Sequence, residues 1–176
     1  MPFAYYDRLS AKRKRIYDRS DRILRIEWPD VKALEPLARA IQPPLEAERR
    51  AQVEKACQDL VNAMNTQLAT PPVAMRVLER RHSNEMGELQ GLYEPDEVTG
   101  GAARITVWMR TAAREQVVKF RTFLRTVVHE VCHHLDYEHY QLPETFHTQG
   151  FYTRESMLMK ELLGGNEKPG TTDEHR

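Results

Sequence analysis

The 176-residue chain is poor in cysteine and contains no long apolar run. Cys57 and Cys132 lie far apart, which argues against a disulfide framework. No stretch approaches the roughly 20 apolar residues that span a bilayer, and residues 1–8 lack the apolar core of a signal peptide. The formal net charge is zero, so no overall field draws the chain to nucleic acid or a membrane surface. We expect a cytoplasmic protein that does not bind membranes.

Residues 1–70 have the pattern of a helical segment. Apolar residues recur at helical spacing, and prolines separate three predicted helices at 5–26, 31–41 and 45–68. Basic side chains are frequent between Lys12 and Arg25, but Asp18 and Asp21 interrupt them. Such a run is typical of a solvated helix face, which we prefer over a nucleic-acid contact. Nucleic acid stays open as a partner.

The pattern changes after Pro72. Short segments at 73–79, 88–93 and 104–109, separated by turn residues, predict a small antiparallel sheet. The third segment could be the edge strand beside a cleft, where it would bind extended substrate by main-chain pairing, or it could be an ordinary core strand. Helical spacing then returns, and it predicts a long helix at 114–140, a final helix at 152–163 capped by Gly164 and Gly165, and a polar, disordered tail at 166–176.

The long predicted helix contains the run His129-Glu130-Val131-Cys132-His133. Residues four apart lie one turn above each other on a helix, so the two imidazoles can converge on one ion. Glu130 is placed to take a proton from a metal-bound water, the nucleophile, and to pass it to a leaving amine. Zinc in hydrolases uses imidazole ligands and one open position. A surface helix that carries these residues by chance is the alternative interpretation.

A catalytic zinc site needs a third protein ligand, and two histidines are candidates. His139 follows His133 by the spacing of the metzincins, but Asp136 stands where metzincins have a glycine that turns the chain back to the metal. His147 lies beyond Pro143, where a loop could reverse the chain toward the helix. We favour His147, and a metzincin-like peptidase with His139 as third ligand is the alternative.

Residues 126–164 resemble the SprT-like zinc metallopeptidases, a group of zincins. In that family a helix with His-Glu-x-x-His is followed, after a gap of comparable length, by a histidine that opens a His-Gly-x-x-Phe-like motif and a further helix. His129 and His133 match the first motif. His147 and Phe151 match the second, with Thr148 in place of the glycine.

The resemblance implies a zincin-like fold in which zinc is bound by His129, His133 and His147, with Glu130 as the general base. We therefore predict a zinc metallopeptidase that hydrolyses peptide or protein substrates. A zinc-stabilised regulator without turnover and a nucleic-acid-associated protein are the alternatives. The predicted fold is α+β, and its parts are a helical N-terminal segment at 1–70, a zincin-like catalytic core at 71–165, in which the sheet packs on the long helix, and a disordered tail at 166–176.

Other side chains near the motif have two interpretations each. Asp136 lies on the ligand face of the helix and could orient an imidazole, but a solvated or capping aspartate is equally consistent. His134 points about 100° away from His133, so we interpret it as structural or exposed, and Cys132 as a small core residue. The pattern does not choose among three tyrosines that could polarise a substrate carbonyl: Tyr152, Tyr140 and Tyr93.

Overall fold

The computed structural model describes residues 2–81, 91–111 and 116–165. Two short 3-10 helices, Ala4–Arg8 and Val31–Ala33, accompany the regular elements. In chain order, those elements are α1 (Ala11–Asp21), α2 (Glu35–Arg39), α3 (Gln42–Glu46), α4 (Arg50–Leu68), β1 (Val73–Arg80), β2 (Gly91–Glu94), α5 (Asp96–Thr99), β3 (Ala103–Arg110), α6 (Phe120–Glu138) and α7 (Gln149–Leu162). The α+β prediction is therefore confirmed. No helix among these residues is long and apolar enough to cross a membrane.

The first predicted helix, at 5–26, is broken into two pieces. A 3-10 helix comes first, and α1 begins only after Ser10, whose hydroxyl accepts a hydrogen bond from the backbone N–H of Arg13 at 3.3 Å. This N-cap satisfies one of the N–H groups that a helix leaves free at its start. Residues 23–28 then have no regular secondary structure.

Pro43 and Pro44 begin a helix, although they were expected to separate the predicted helices at 31–41 and 45–68. They lie in the first turn of α3, where an N–H group has no partner within the helix and its loss in proline costs nothing. The next helix, predicted from residue 45, accordingly begins at Arg50. It ends at Leu68, and its C-cap Ala69 has a left-handed conformation with φ of 52°.

The strands form a mixed sheet, so the prediction of an antiparallel sheet is wrong. The order is β1-β3-β2, with β1 parallel to β3 and β2 antiparallel to β3. Of the two interpretations of 104–109, the edge strand is wrong and the core strand is confirmed, because β3 lies in the centre of the sheet. Consecutive burial of Ile105, Thr106 and Val107 is the pattern of a strand covered on both faces. The predicted strand at 88–93 corresponds to β2, and its residues 88–90 lie outside the described residues.

Helices from both halves of the chain cover the sheet. α4 packs on β1, α6 packs on β2 and β3, and α7 packs on α6. Their shared apolar core includes Leu60 of α4, Val107 of β3 and Leu124 of α6, all fully buried. A smaller cluster holds α1 against the loop between α6 and α7, and it consists of Ile16, Tyr17, Leu142 and Phe146.

The last two helices agree with the sequence analysis apart from their bounds. α6 ends two residues before the predicted end, α7 begins at Gln149, and Gly164 and Gly165 follow it with φ of 75° and 65°. These left-handed conformations favour glycine after a helix. The predicted start of α6 is wrong at residues 116–119, which are not helical, because α6 begins at Phe120. Residues 114 and 115 and the predicted disordered tail at 166–176 lie outside the described residues.

We expect Gly150→Ala to destabilise the protein. A Cβ at Gly150, in the first turn of α7, would collide with the backbone carbonyl of Asp21, so α7 must move away from the end of α1. The expected loss is about 1–3 kcal/mol of unfolding free energy, measured by urea denaturation. Gly101→Ala is the matched control, because no heavy atom lies within 4 Å of its added Cβ. Equal unfolding free energies for the two variants would contradict this expectation.

Candidate metal centre

The structure brings three histidine side chains to one point. His129 and His133 lie one turn apart on α6, and the loop after α6 carries His147 to them. The Nε2 atoms are 3.1 Å apart for His129 and His147, 3.2 Å for His129 and His133, and 3.0 Å for His133 and His147. These three histidines are therefore close enough to bind one metal ion.

A tight reversal after α6 explains how His147 reaches the helix. Gln141 has a left-handed conformation with φ of 52°, and the N–H of Leu142 donates to the carbonyl of Asp136 at 2.8 Å. Leu142 and Phe146 are then buried against α1, which anchors both ends of the loop. Burial of these apolar side chains holds the chain in the direction that points His147 at α6.

Thr148, which stands where the SprT-like motif has glycine, is the N-cap of α7. Its side chain accepts a hydrogen bond from the N–H of Phe151 at 2.9 Å. The backbone of Thr148 is extended, with φ of −87°, so this position does not need the conformational freedom of glycine. The threonine hydroxyl instead stabilises the start of α7.

His139 does not join the other histidines. It is the C-cap of α6 with helical dihedral angles, and its ring packs against the ring of Tyr140 at 4.8 Å between centroids. Because position 136 is an aspartate and not a glycine, the chain stays helical through Glu138, and His139 lies away from the other histidines. Among the described residues, the cluster of potential metal ligands contains His129, His133 and His147 only.

Hydrogen bonds at the outer ring nitrogens determine where the inner lone pairs point. His129 Nδ1 lies 3.0 Å from Glu155 Oε2, and because a carboxylate only accepts, Nδ1 carries the proton. His133 Nδ1 lies 2.8 Å from Thr145 Oγ1, whose own proton goes to Asp136 Oδ2 at 2.7 Å. His133 Nδ1 is therefore also the donor, and both Nε2 lone pairs are directed at the centre of the cluster.

Converging lone pairs repel one another unless a cation lies between them. Two nitrogen ligands at 2.0–2.1 Å from a tetrahedral ion are separated by about 3.3–3.4 Å, close to the 3.0–3.2 Å measured between the Nε2 atoms. Neutral imidazole is a ligand for zinc and for several other transition metals. The donors and their spacing thus fit a transition-metal ion.

Burial and the charge of His129 lower the pKa of His133 and of His147, which favours neutral, ligand-ready rings at these two positions. Burial, together with the charges of the neighbouring His129 and His147, lowers the pKa of His133 to about 2. Burial also acts to lower the pKa of His129, but the hydrogen bond and negative charge of Glu155 outweigh it and raise that pKa. A carboxylate on the outer nitrogen raises the basicity of the inner nitrogen, which strengthens a metal ligand.

Phe151 closes the inner side of the cluster. Its fully buried ring lies 4.8 Å from the ring of His133, 5.1 Å from His129 and 5.3 Å from His147, between centroids. His147 is exposed, and the side chain of His129 keeps 23% of its surface accessible. The cluster is therefore backed by an apolar ring and open to solvent on the side away from it.

Glu130 is buried next to the cluster, beneath the start of β2. A Cβ at Gly91 would lie 2.8 Å from both Cγ and Oε1 of Glu130, so only glycine lets β2 approach this carboxyl group without displacement. Burial raises the pKa of Glu130 to about 7, although the charge of His129 opposes the shift. A carboxyl group with a pKa near neutrality can both accept and release a proton.

No protein-family model, curated protein or solved structure matches this chain. The resemblance to SprT-like peptidases therefore stays a prediction from the motifs. The geometry of the histidine cluster stands on the structure of this chain itself.

Other predictions near the motif have mixed outcomes. Asp136 reaches His133 only through Thr145, so it orients an imidazole indirectly. The structural interpretation of His134 is confirmed, because its buried ring bridges the carbonyl of Pro71 at 3.0 Å and the hydroxyl of Tyr93 at 3.1 Å. Cys132 is a buried core residue as predicted, and it is a free thiol, as is Cys57.

The three tyrosine candidates differ in their position relative to the histidine cluster. The hydroxyl of Tyr93 contacts His134, and that of Tyr140 is 3.5 Å from the carbonyl of Arg25. The ring of Tyr152 lies 5.7 Å from the ring of His147, and the residue is 42% exposed. Tyr152 is therefore the candidate that borders the cluster.

Three polar residues at the site were missed by the sequence analysis: Glu155, Thr145 and Arg154. Glu155 contacts His129 across 26 positions of sequence. A signal was present, because Glu155 follows Phe151 by one helical turn and precedes Leu158 and Leu162 on the buried face of α7. A carboxylate on an apolar face needs a buried polar partner, and a ligand histidine is such a partner.

Replacing His147 should separate the two third-ligand hypotheses. We expect His147→Ala to weaken zinc binding by more than the roughly 10–100-fold typical of a residue that only supports a ligand. His139→Ala is the matched control and should bind zinc like the unmodified protein, because His139 lies outside the cluster. Competition titration with a chromophoric chelator measures both affinities, and a larger loss for His139→Ala would reverse the assignment.

Proposed function

We propose that this protein is a zinc-dependent metallopeptidase. The observation that carries the proposal is the triangle of Nε2 atoms from His129, His133 and His147, with buried Glu130 beside it. Structural zinc sites have four protein ligands, whereas catalytic sites have three and keep one position open. A three-histidine cluster that faces solvent, next to a carboxyl group with a raised pKa, has the composition of a catalytic site.

Each residue has a distinct part in the proposed reaction. A zinc ion bound by the three histidines would lower the pKa of water and polarise the scissile carbonyl group. Glu130 takes a proton from the water that attacks the carbonyl carbon, and delivers it to the amine nitrogen as the carbon–nitrogen bond breaks. Glu155 and Thr145 hold the rings of His129 and His133 in orientation.

The position of β2 supports a peptide as the substrate. β2 is an outer strand of the sheet formed by the described residues, and it begins at Gly91 against Glu130. An outer strand has main-chain groups that can pair with an extended peptide. We therefore propose that β2, and not the segment 104–109, pairs with the main chain of the substrate.

The basic N-terminal run supports the peptidase more than the nucleic-acid alternative. Arg13 is paired with Glu144 at 2.7 Å. Arg19 donates to the carbonyl of Tyr140 at 2.7 Å, and Arg25 is paired with Glu161 at 3.0 Å. Each of these three arginines already has an acceptor within the protein, so a phosphate group would have to compete with it.

Glu130→Gln tests the proposed general base. We expect peptidase activity to fall about 10²–10⁴-fold, because the amide cannot accept the proton, while the zinc content stays at that of the unmodified protein. Cleavage of a peptide library, read by mass spectrometry, measures activity, and chelation followed by zinc should remove and restore it. If the unmodified protein binds zinc but cleaves no peptide, the peptidase proposal is wrong and the zinc-stabilised regulator is favoured. Salt-sensitive nucleic-acid binding that survives chelation would favour the nucleic-acid-associated protein.

Tyr152→Phe tests whether this hydroxyl stabilises charge on the substrate carbonyl oxygen. Loss of one such donor lowers kcat by about 10²–10³-fold in other enzymes, and we expect a fall in kcat with little change in KM. Tyr140→Phe is the matched control, because its hydroxyl faces the carbonyl of Arg25. Full kcat in Tyr152→Phe would remove Tyr152 from the mechanism.

A further inference from the structure

A fully buried arginine joins α1, α6 and α7. Arg154 of α7 donates from Nη1 to the carbonyl oxygens of Ser20 and Ile23, each at 3.0 Å. Its Nη2 donates to Ser20 Oγ at 3.1 Å and to Asp136 Oδ1 at 2.6 Å. Both charged side chains have no accessible surface. Burying such a pair is costly unless hydrogen bonds compensate for the lost water. Ser20 of α1 and Ile23 just after α1 supply three of the four acceptors of the two Nη atoms, while Nε of Arg154 has no hydrogen-bond partner among the described residues.

The same network continues to a metal ligand. Asp136 uses its other oxygen, Oδ2, to accept the proton of Thr145, and Thr145 accepts from His133 Nδ1. An unbroken series of hydrogen bonds therefore runs from the end of α1 through Arg154 to the ring of His133. Supports of this kind set the orientation of a ligand imidazole.

The N-terminal segment also contacts the loop that carries His147. The hydroxyl of Tyr5 donates to the carbonyl of His147 at 3.0 Å, and the N–H of Gly150 donates to Asp21 Oδ1 at 2.8 Å. Tyr17 and Phe146 pack in the apolar cluster under the same loop. Contacts with residues 2–28 thus support two of the three metal ligands, His133 through Arg154 and His147 through Tyr5.

We propose that residues 2–28 are a permanent part of the metal centre, and that the position of α1 sets the metal affinity through Arg154, Asp136, Thr145 and His133. A removable prosegment would behave in the opposite way, because its loss would expose a competent site. Loss of residues 2–28 would instead leave Arg154 with Asp136 as its one acceptor among those it has here and would open this side of the network to water. The proposal rests on the metal site of the proposed function, but it does not depend on peptidase activity.

Coupling between α1 and the metal must act in both directions. If the position of α1 strengthens metal binding by some factor, bound metal must stabilise the docked state of α1 by the same factor. Displacement of α1 should therefore weaken metal binding, and bound metal should raise the local stability of Ala11–Asp21.

The first experiment titrates the full-length metal-free protein with Co²⁺ and follows the visible absorption of the bound ion. Arg154→Lys keeps a positive charge for Asp136, but one ammonium cannot reproduce the guanidinium contacts to both α1 and α6. Thr145→Val removes the hydroxyl between Asp136 and His133. We expect about 10–100-fold weaker binding in each variant and a shifted Co²⁺ spectrum.

Arg13→Ala is the matched control for the N-terminal segment. Arg13 also joins α1 to the loop, through Glu144, but this pair is exposed and lies outside the network. Exposed pairs contribute little, so we expect Co²⁺ affinity within about threefold of the unmodified protein. Unchanged affinity and spectrum in Arg154→Lys would overturn the proposal, even if Thr145→Val binds weakly.

The second experiment needs no variant and decides the matter if Arg154→Lys does not fold. Amide hydrogen exchange is measured in the unmodified protein with and without Zn²⁺. We expect zinc to slow exchange in α1 by a larger factor than in α4, which has no hydrogen bond to the network. Equal slowing in both helices would mean general stabilisation and would overturn the proposal.

A protein that binds neither Co²⁺ nor Zn²⁺ would overturn both this proposal and the metal site. A protein that binds metal but has no peptidase activity would overturn the proposed function and leave this proposal intact.

Discussion

Repulsion between imidazole lone pairs is the constraint on which this part of the structure depends. The Nε2 atoms of His129, His133 and His147 lie within 3.0–3.2 Å of one another. Glu155 and Thr145 keep the protons of the neutral rings of His129 and His133 on the outer nitrogens, so these two rings, while neutral, cannot relieve the repulsion by hydrogen bonding to each other. A cation at the centre turns the repulsion into attraction, and binding free energy then adds to the stability of the fold.

The supports of the cluster explain why charged residues lie on otherwise apolar helix faces. Glu155 and Arg154 occupy the buried face of α7, and Asp136 occupies the buried face of α6. Each would be costly to bury alone. Arg154 pairs with Asp136, whereas Glu155 contacts His129 and Arg125. These contacts orient two ligand rings and connect α1 to the site. Burying these charged groups lowers the stability of the fold, and in return it fixes the positions of the rings of His129 and His133.

Local patterns predicted the elements better than their arrangement. Apolar spacing indicated α6 and α7, and β-branched and aromatic residues indicated β3, because these signals depend on neighbours along the chain. The same signals did not contain the strand order. β3 inserts between β1 and β2, and its central position depends on its parallel pairing with β1, whose residues lie about 30 positions earlier in the chain. Pro43 was misplaced because proline is compatible with the start of a helix as well as its end.

The sequence by itself determined the pair His129 and His133 and the adjacent Glu130, since helix geometry alone places residues four apart on one face. Only the tertiary structure decided that His147, and not His139, completes the cluster. That choice depends on the chain reversal at Gln141 and on the burial of Phe146 against α1. Both involve residues far apart in sequence, whose contacts no local spacing encodes.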